Sequence, residues 1–206
     1  MHDIEDIKKL KDVFNDHIHS IIKYGFGKRN ILVVLEEMDI DYLLKIRPLI
    51  RRIRKQKNLL VLTKENVTKK NIGVDFLNIK LTSVVLYGND IFKDATIDTT
   101  RIKRQIKYEA NRILVNLRNE LLNTKWSWDI RRILYSVIPR ILPLIVAHLY
   151  VLGEKIPNAI PDTINRYIKH NESASVLLRI RKDIKRDEMD KLLQDIFDLF
   201  ESMINI

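Results

Sequence analysis

The sequence predicts an α+β protein, in which a mixed sheet of four or five strands with packed helices precedes an all-α helical bundle. Two observations predict this. Short runs rich in Ile, Val, Leu, Tyr and Phe alternate with helical patterns along the N-terminal half. After residues 87–90 the strand signals stop, and long stretches of helical periodicity follow. We therefore predict an α/β domain at residues 1–95 and a helical bundle at 96–206.

The N-terminal elements follow from the spacing of apolar residues. Apolar positions three and four apart predict a first helix over 4–18. Strands are predicted at 20–24, 30–35, 59–63, 74–79 and 83–87. A helix is predicted from about Ile40 to Lys57 with Pro48 inside it, and a shorter one at 64–71 with Thr63 as its N-cap.

The C-terminal elements are predicted by long apolar stripes and by their boundary residues. Asp98 or Thr99 is the expected N-cap of a long helix whose stripe ends at Leu121. Gly153 is expected to end the next helix, at about 129–152. Further helices are predicted at 158–170, 172–182 and 187–205.

Composition limits the class of protein. The chain has 206 residues, 46% of them hydrophobic, a net charge of +10 and no cysteine, which excludes disulfides and thiolate metal sites. The N-terminus has no apolar signal segment, so we expect a cytoplasmic location. The apolar run 133–152 carries Arg140 near its middle, and it is interpreted as a buried helix of the bundle and not as a membrane span.

The charge is distributed unevenly, which predicts surfaces for charged partners. The segment 45–70 is strongly basic, and its densest cluster is the candidate polyanion-binding set Arg51, Arg52, Arg54 and Lys55. The alternative is a solvated helix face. The C-terminal helix is acidic and amphipathic, which predicts a protein partner or a homodimer that docks through it.

One segment resembles a known family. Residues 20–35, SIIKYGFGKRNILVVL, consist of two apolar runs joined by a short glycine turn. They are similar to the opening of the nucleotidyltransferase superfamily, in its DNA polymerase beta-like and minimal nucleotidyltransferase branches. The similarity extends over about residues 18–122, including the run 74–80, which resembles a strand whose second position is acidic.

The resemblance implies where a metal site belongs. In the family a Gly-Ser loop cradles phosphate, an Asp-x-Asp pair on the second strand binds divalent metal, and a third carboxylate follows. Here the corresponding positions are Gly25, Phe26, Lys28 and Asn30, with Asp75 at the third carboxylate. Nucleotidyl transfer uses two divalent metals held by carboxylates. Lysine repels such a metal, and a neutral amide is a weak substitute for a carboxylate.

These residues predict a degenerate nucleotidyltransferase-like protein, a pseudoenzyme that acts by binding a nucleotide, a nucleic acid or a protein. No catalytic residue and no cofactor are expected, and magnesium would enter only if the site were retained. A basic RNA- or DNA-binding module is the alternative function. An enzyme stays open only if ligands come from elsewhere, such as Glu36, Glu37 or Asp39.

Three local alternatives stay open at this point. Residues 25–27 are either a plain hairpin turn or a degenerate nucleotide loop, and in both cases residues 20–35 are expected to form a tight β-hairpin. Asp75 is either a relic of the site or a solvent-facing strand residue. Trp126 and Trp128, beside Lys125, Arg131 and Arg132, either stack on nucleic acid or anchor a turn in the core, which is the commoner use.

Overall fold

The computed structural model describes residues 2–26, 30–54, 58–68, 73–125, 127–182 and 184–206. They form two compact units, one of Met1–Ile72 with Phe76–Ile97 and one of Gly73–Asp75 with Asp98–Ile206. The described residues of the first unit form a four-stranded sheet with helices, and those of the second form helices and their connections. The predicted α+β class is confirmed. The assignment of domains to 1–95 and 96–206 stays a prediction.

The first unit contains the following elements in chain order. They are α1 (His2–Phe14), β1 (Ile18–Lys23), β2 (Asn30–Leu35), α2 (Ile40–Arg54), β3 (Asn58–Thr63), α3 (Lys64–Thr68), α4 (Val74–Thr82) and β4 (Val84–Gly88). The first two residues of α4 group with the second unit. Thr63 caps α3 as predicted, because its Oγ1 accepts the Asn66 N–H while the Thr63 N–H donates to Asn66 Oδ1, both at 3.3 Å.

The sheet is mixed, with the strand order β3-β2-β1-β4. β1 is antiparallel to both β2 and β4, and β2 is parallel to β3. The β1–β2 pair runs from Ile18 opposite Leu35 to Lys23 opposite Ile31, and the Tyr24 N–H donates to the Asn30 carbonyl at 3.2 Å. The predicted hairpin is therefore confirmed for its strands, whereas its turn residues 27–29 lie outside the described residues.

Alternation along the central strands gives the sheet two apolar faces. One face packs against α1 and α2 to form a cluster that includes Leu10, Phe14, Ile21, Ile31, Val33, Leu35, Ile46 and Ile50. The neighbouring strand positions Ile22, Leu32 and Val34 point to the other face and are also fully buried. The central strands are therefore buried on both sides, as the nearly continuous apolar sequence of β2 requires.

The predicted strand at 74–79 is wrong, because residues 74–82 form the helix α4. Its buried residues Val74 and Leu77 are three positions apart, a helical spacing, and a short apolar run alone does not distinguish strand from helix. A contact distant in sequence satisfies the start of the helix, since the Val74 N–H donates to Gln105 Oε1 at 3.0 Å. Near its C-terminal end, Thr82 Oγ1 donates to the Asn78 carbonyl at 2.6 Å.

The second unit contains five further α-helices among its described residues. They are α5 (Thr99–Leu122), α6 (Ser127–Val151), α7 (Ile160–Ile168), α8 (Ser175–Ile180) and α9 (Met189–Ile204). Asp98 caps α5 as predicted, accepting the N–H groups of Thr100 and Arg101. Past the end of α6, Gly153 has φ +75°, and the Glu154 N–H donates to the Leu149 carbonyl at 2.9 Å, as the Schellman motif requires.

The core of the bundle is formed by one face of each long helix. α5 packs against α6 and α9, and the apolar face of α9, including Leu192, Ile196, Leu199 and Phe200, is buried within the unit. Of the described helices, Trp128–Val151 is long and apolar enough to cross a membrane by length and composition, but 61% of its most apolar window is buried inside the protein. That burial is typical of an interior helix of a bundle.

Candidate functional site

At the hairpin-turn end of the sheet, Gly25 and Asn30 are hydrogen-bonded by neutral groups. The Gly25 N–H donates to Thr82 Oγ1 at 2.8 Å, and Gly25 has φ +71°. Asn30 begins β2 and Asn58 begins β3, and the Asn58 carboxamide donates to Asn30 Oδ1 at 2.9 Å. The Asn30 oxygen, which stands where a metal ligand is expected, is therefore bonded to a neighbouring amide.

The remaining positions of this predicted site are not brought together by the described residues. Phe26 is part of the turn with an intermediate exposure, and Lys28 lies outside the described residues. Asp75 lies in the first turn of α4, is exposed and belongs to the second unit. Both earlier interpretations of Asp75 required a strand, so both need correction: its carboxylate is solvent-facing, but on a helix. No group of three or more metal-ligating side chains occurs in the part of the chain that the structure describes.

The predicted polyanion-binding cluster lies at the C-terminal end of α2. Arg51 is exposed there; Arg52 and Arg54 are also residues of α2, but their side chains, like all of Lys55, lie outside the described residues. Two more exposed cations, Lys45 and Arg47, precede Arg51. We call Lys45, Arg47 and Arg51 the α2 cations. Within the described part of the chain no ion pair neutralises them.

The opposite end of the sheet carries a charged network that sequence reasoning missed. Glu36 follows β2 directly and Lys64 follows β3, so both lie where the parallel strands end. Glu36 Oε1 lies 2.5 Å from His19 Nδ1, and Glu36 Oε2 lies 3.3 Å from Lys64 Nζ. The hydrogen bond from His19 is the main reason why the pKa of Glu36 lies below its ordinary range. An acid directly after one parallel strand and a lysine directly after the next was the signal available in the sequence.

A second network of the same kind ties the start of the α6–α7 connection to the end of α7. Glu154 lies 3.1 Å from Arg166 and 3.0 Å from His170, and the hydrogen bond from His170 is the main cause of a lowered Glu154 pKa.

Nearby, His148 Nδ1 and the Tyr167 hydroxyl are 2.8 Å apart. Burial lowers the pKa of the His148 imidazole. Burial also raises the pKa of the Tyr167 hydroxyl, to about 12. His148 is thus a half-buried residue of the bundle that is hydrogen-bonded to Tyr167.

An open polar cleft of ≈ 620 Å³ lies between the C-terminal part of α5 and the N-terminal part of α6. Its α5 wall carries Asn116, Asn119 and Asn123, and its α6 wall carries Asp129, Arg132 and Arg140. Sequence reasoning missed the asparagines, although their spacing of three and four residues places them on one helix face. Two ion pairs cross or border the cleft, Glu120–Arg140 at 2.8 Å and Asp129–Arg132 at 3.3 Å.

Trp128 does not line this cleft but contacts Arg132, which does. Its side chain is 61% exposed, and the Arg132 guanidinium carbon lies 5.6 Å from the ring centroid. Trp128 therefore does not anchor the turn in the core, which was the commoner of the two uses considered. Arg131 instead points inward and donates to the Ile184 carbonyl at 2.6 Å, and Trp126 lies outside the described residues.

The chain matches no protein-family model, and a search of curated proteins finds no match. The resemblance to nucleotidyltransferases therefore stays a prediction that rests on the residues quoted for it.

Proposed function

We propose that this protein is a degenerate nucleotidyltransferase-like pseudoenzyme, which binds nucleic acid or a nucleotide through basic surfaces and does not transfer nucleotidyl groups. The amides at the hairpin-turn end of the sheet support the second half of this proposal. Asn30 stands where the resemblance implies a metal carboxylate, and its oxygen accepts from Asn58 at 2.9 Å. A neutral amide that is already hydrogen-bonded is a weak ligand for a divalent ion, since magnesium favours anionic oxygen ligands. No bound metal is therefore expected.

The division of α2 into two faces is the observation that carries the binding half. Ile46 and Ile50 are buried against the sheet, whereas the α2 cations face solvent. Within the described part of the chain these three side chains have no carboxylate partner. Their charge is available to phosphates without first breaking an ion pair, and each phosphate contact releases counterions from a nucleic acid.

The start of α5, in the second unit, has a similar character. Lys103 and Arg104 are exposed and Arg101 and Lys107 are partly exposed, and none of the four forms an ion pair with another described residue. The acidic side chains of α5 lie further along the helix, where Glu109 pairs with Arg112 at 2.6 Å. Each unit therefore has its own basic surface, and each surface alone can contact the phosphates of a nucleic acid.

A salt series tests the proposal. Binding of labelled duplex DNA and RNA is measured for the full chain and for the triple variant Lys45→Gln, Arg47→Gln and Arg51→Gln. We expect the triple variant to bind more weakly. The slope of its log K plotted against log salt concentration should become shallower by about 3, since each lost phosphate contact reduces the slope by about 0.9.

A matched control removes the same net charge from cations that are already paired. Arg112, Arg118 and Arg179 contact Glu109, Glu201 and Asp195, and all three are replaced by glutamine. We expect this control to keep most of the slope. Equal weakening of both triple variants, or no binding of nucleic acid by the wild-type chain at about 0.1 M salt, contradicts the proposal.

A protein partner is the second candidate function, and the acidic surface near the start of α9 favours it. Asp187, Glu188 and Asp190 are exposed and form no ion pair among the described residues. Because the apolar face of α9 is buried in its own unit, docking onto a basic face of a second copy would be electrostatic. Light scattering at low and high salt tests whether the chain dimerises through this surface. A dimer that dissociates as salt is added supports this function, provided that the double variant Asp187→Asn with Asp190→Asn does not form it. A cytoplasmic location belongs to the same proposal.

A further inference from the structure

The cleft between α5 and α6 has the features of a binding site and no part in the proposal above. It is open, it is lined by carboxamides and two ion pairs, and one of its lining residues, Arg132, contacts the exposed indole of Trp128. We propose that this cleft binds an unpaired base of single-stranded nucleic acid, with the base stacked on Trp128 and the adjacent phosphate bound by Arg132. The inference rests on the proposed function, and it adds a second, base-dependent site to the charge-dependent ones.

Trp128 supplies a stacking surface that its own fold does not use. An indole that is 61% exposed leaves much of its apolar surface in water, which is unfavourable unless a partner covers it. Flat aromatic rings of this kind bind single strands because every base offers a face for stacking. A duplex does not offer its bases in this way, since they are already stacked and paired.

Arg132 can contact a phosphate without losing its present partner. Its pair with Asp129 is 3.3 Å long, and 72% of the Arg132 side chain is exposed, whereas Asp129 is 14% exposed. A guanidinium has five N–H donors, so it can bind a phosphate from solvent while it stays paired with the Asp129 carboxylate. Because the same guanidinium lies 5.6 Å from the Trp128 ring, a nucleotide stacked on the indole brings its phosphate within reach of Arg132.

The α5 wall supplies hydrogen-bonding groups of both kinds. The carboxamides of Asn116 and Asn119 line the cleft, and no hydrogen bond to another described residue occupies them. Asn123 donates to the Asn119 carbonyl at 2.8 Å, which leaves its side-chain oxygen free to accept. A carboxamide both donates and accepts, so it can match the edge of a base that has left a helix. The opposite wall is held by the Glu120–Arg140 pair.

A nucleic acid fits this charge pattern better than a protein segment does. The four charged side chains of the two ion pairs cancel, so the cleft alone attracts neither sign of charge. The whole chain carries +10, which draws a polyanion towards it from solution. What the cleft adds is an aromatic face and amides, the groups that recognise bases and not phosphates.

Fluorescence of Trp128 reports binding directly. The chain has two tryptophans, so Trp126→Phe makes Trp128 the only one, and a twelve-nucleotide RNA or DNA strand of mixed sequence is titrated into this full-length variant. We expect saturable quenching by the single strands, with the RNA and DNA arms showing whether the sugar matters. Heparin, a polyanion without bases, is expected to bind without this quenching.

Affinity measurements on variants then separate the groups. Trp128→Ala is expected to lower single-strand affinity by about tenfold or more, while Trp128→Phe keeps most of it. Arg132→Ala is expected to lower the single-strand salt slope by about 0.7, the value for one phosphate. Tyr87→Ala is the matched control, because it removes another exposed aromatic ring beneath a cation, Lys11 at 4.2 Å, outside the cleft. Circular dichroism confirms that each variant is folded.

The outcomes distinguish this inference from the proposed function. If Trp128→Ala leaves single-strand affinity unchanged, or weakens duplex and heparin binding equally, the base site is wrong even though the basic surfaces bind. Quenching by heparin equal to that by oligonucleotides also overturns it. If duplex binding fails for the wild-type chain while single strands still quench Trp128, the proposed function fails and the base site stands.

Discussion

The two ends of the sheet in the first unit are built by the same strands but differ in chemistry. At the hairpin-turn end, Asn30 and Asn58 begin two parallel strands and bond to each other. At the other end the same two strands are followed by Glu36 and Lys64, which join His19 in a charged network. At the end where the resemblance implies a metal site, the first residues of these two strands thus carry amides and not carboxylates. The backbone pairing of the strands does not determine this difference in chemistry. The side chains at each end do.

The largest effect should come from a glycine at the charged end. Gly88 has φ +75°, and a Cβ there would lie 2.1 Å from the His19 carbonyl oxygen, so Gly88→Ala must move backbone atoms of β1 or β4. We expect a loss of about 3 kcal/mol or more in the free energy of unfolding. Urea denaturation followed by circular dichroism measures it.

Gly25, at the hairpin-turn end, is the matched comparison for Gly88. It has φ +71°, but a Cβ there would meet only the Asn30 side-chain nitrogen, at 2.9 Å, and that side chain can rotate. Gly25→Ala is therefore expected to cost about 1–2 kcal/mol, the penalty of the left-handed backbone itself. Equal costs for the two variants would contradict the close approach of β4 to β1 at Gly88.

A smaller effect is expected when a carboxylate is added at the hairpin-turn end. Asn30→Asp keeps an oxygen for the Asn58 amide to donate to, so we expect stability to change by about 1 kcal/mol or less. A single carboxylate does not form a two-metal site, and calorimetry with millimolar magnesium should show no binding. Tight magnesium binding by this variant would mean that other ligands converge there, and the end would not be degenerate.

The smallest effect concerns pH. The pKa of Glu36 is held below its ordinary value of 4.5, chiefly by the hydrogen bond from His19, so its contribution to stability is present above pH 4.5 and is lost as the pH falls. Glu36→Gln should slightly reduce the loss of stability between neutral and acid pH, which we call the acid limb. Glu154→Gln should flatten it more, because 26% of the Glu154 side chain is exposed against 49% for Glu36.

Denaturation midpoints between pH 3 and pH 7 measure both changes. Glu188→Gln is the control, since Glu188 is exposed and has no ion-pair partner among the described residues. If Glu188→Gln flattens the acid limb as much as the other two variants, the two histidine–carboxylate networks do not contribute to acid stability.

The comparison also shows what the sequence could predict. Thr63, Asp98 and Gly153 were found as boundaries because capping depends on residues within a few positions of one another. The helix α4 was mistaken for a strand, because its start is satisfied by Gln105, thirty-one positions away in the sequence. No local pattern reveals such a contact.

The candidate sites divide in the same way. Arg51 and Trp128 stood out because of their residue types, and the side chains of both are exposed. The His19–Glu36–Lys64 network was missed, since it exists only once β1, β2 and β3 pair. The cleft itself was missed because its two walls come from separate helices.

The most direct test of the account is a nucleotidyl-transfer assay on the full-length wild-type chain. Labelled nucleoside triphosphates are supplied with magnesium or manganese, with and without nucleic-acid and protein acceptors. No incorporation above the level without protein is expected, because Asn30 offers a bonded amide where a carboxylate is required and Asp75 is exposed in the first turn of the helix α4. Robust turnover that Asp75→Ala abolishes would contradict it.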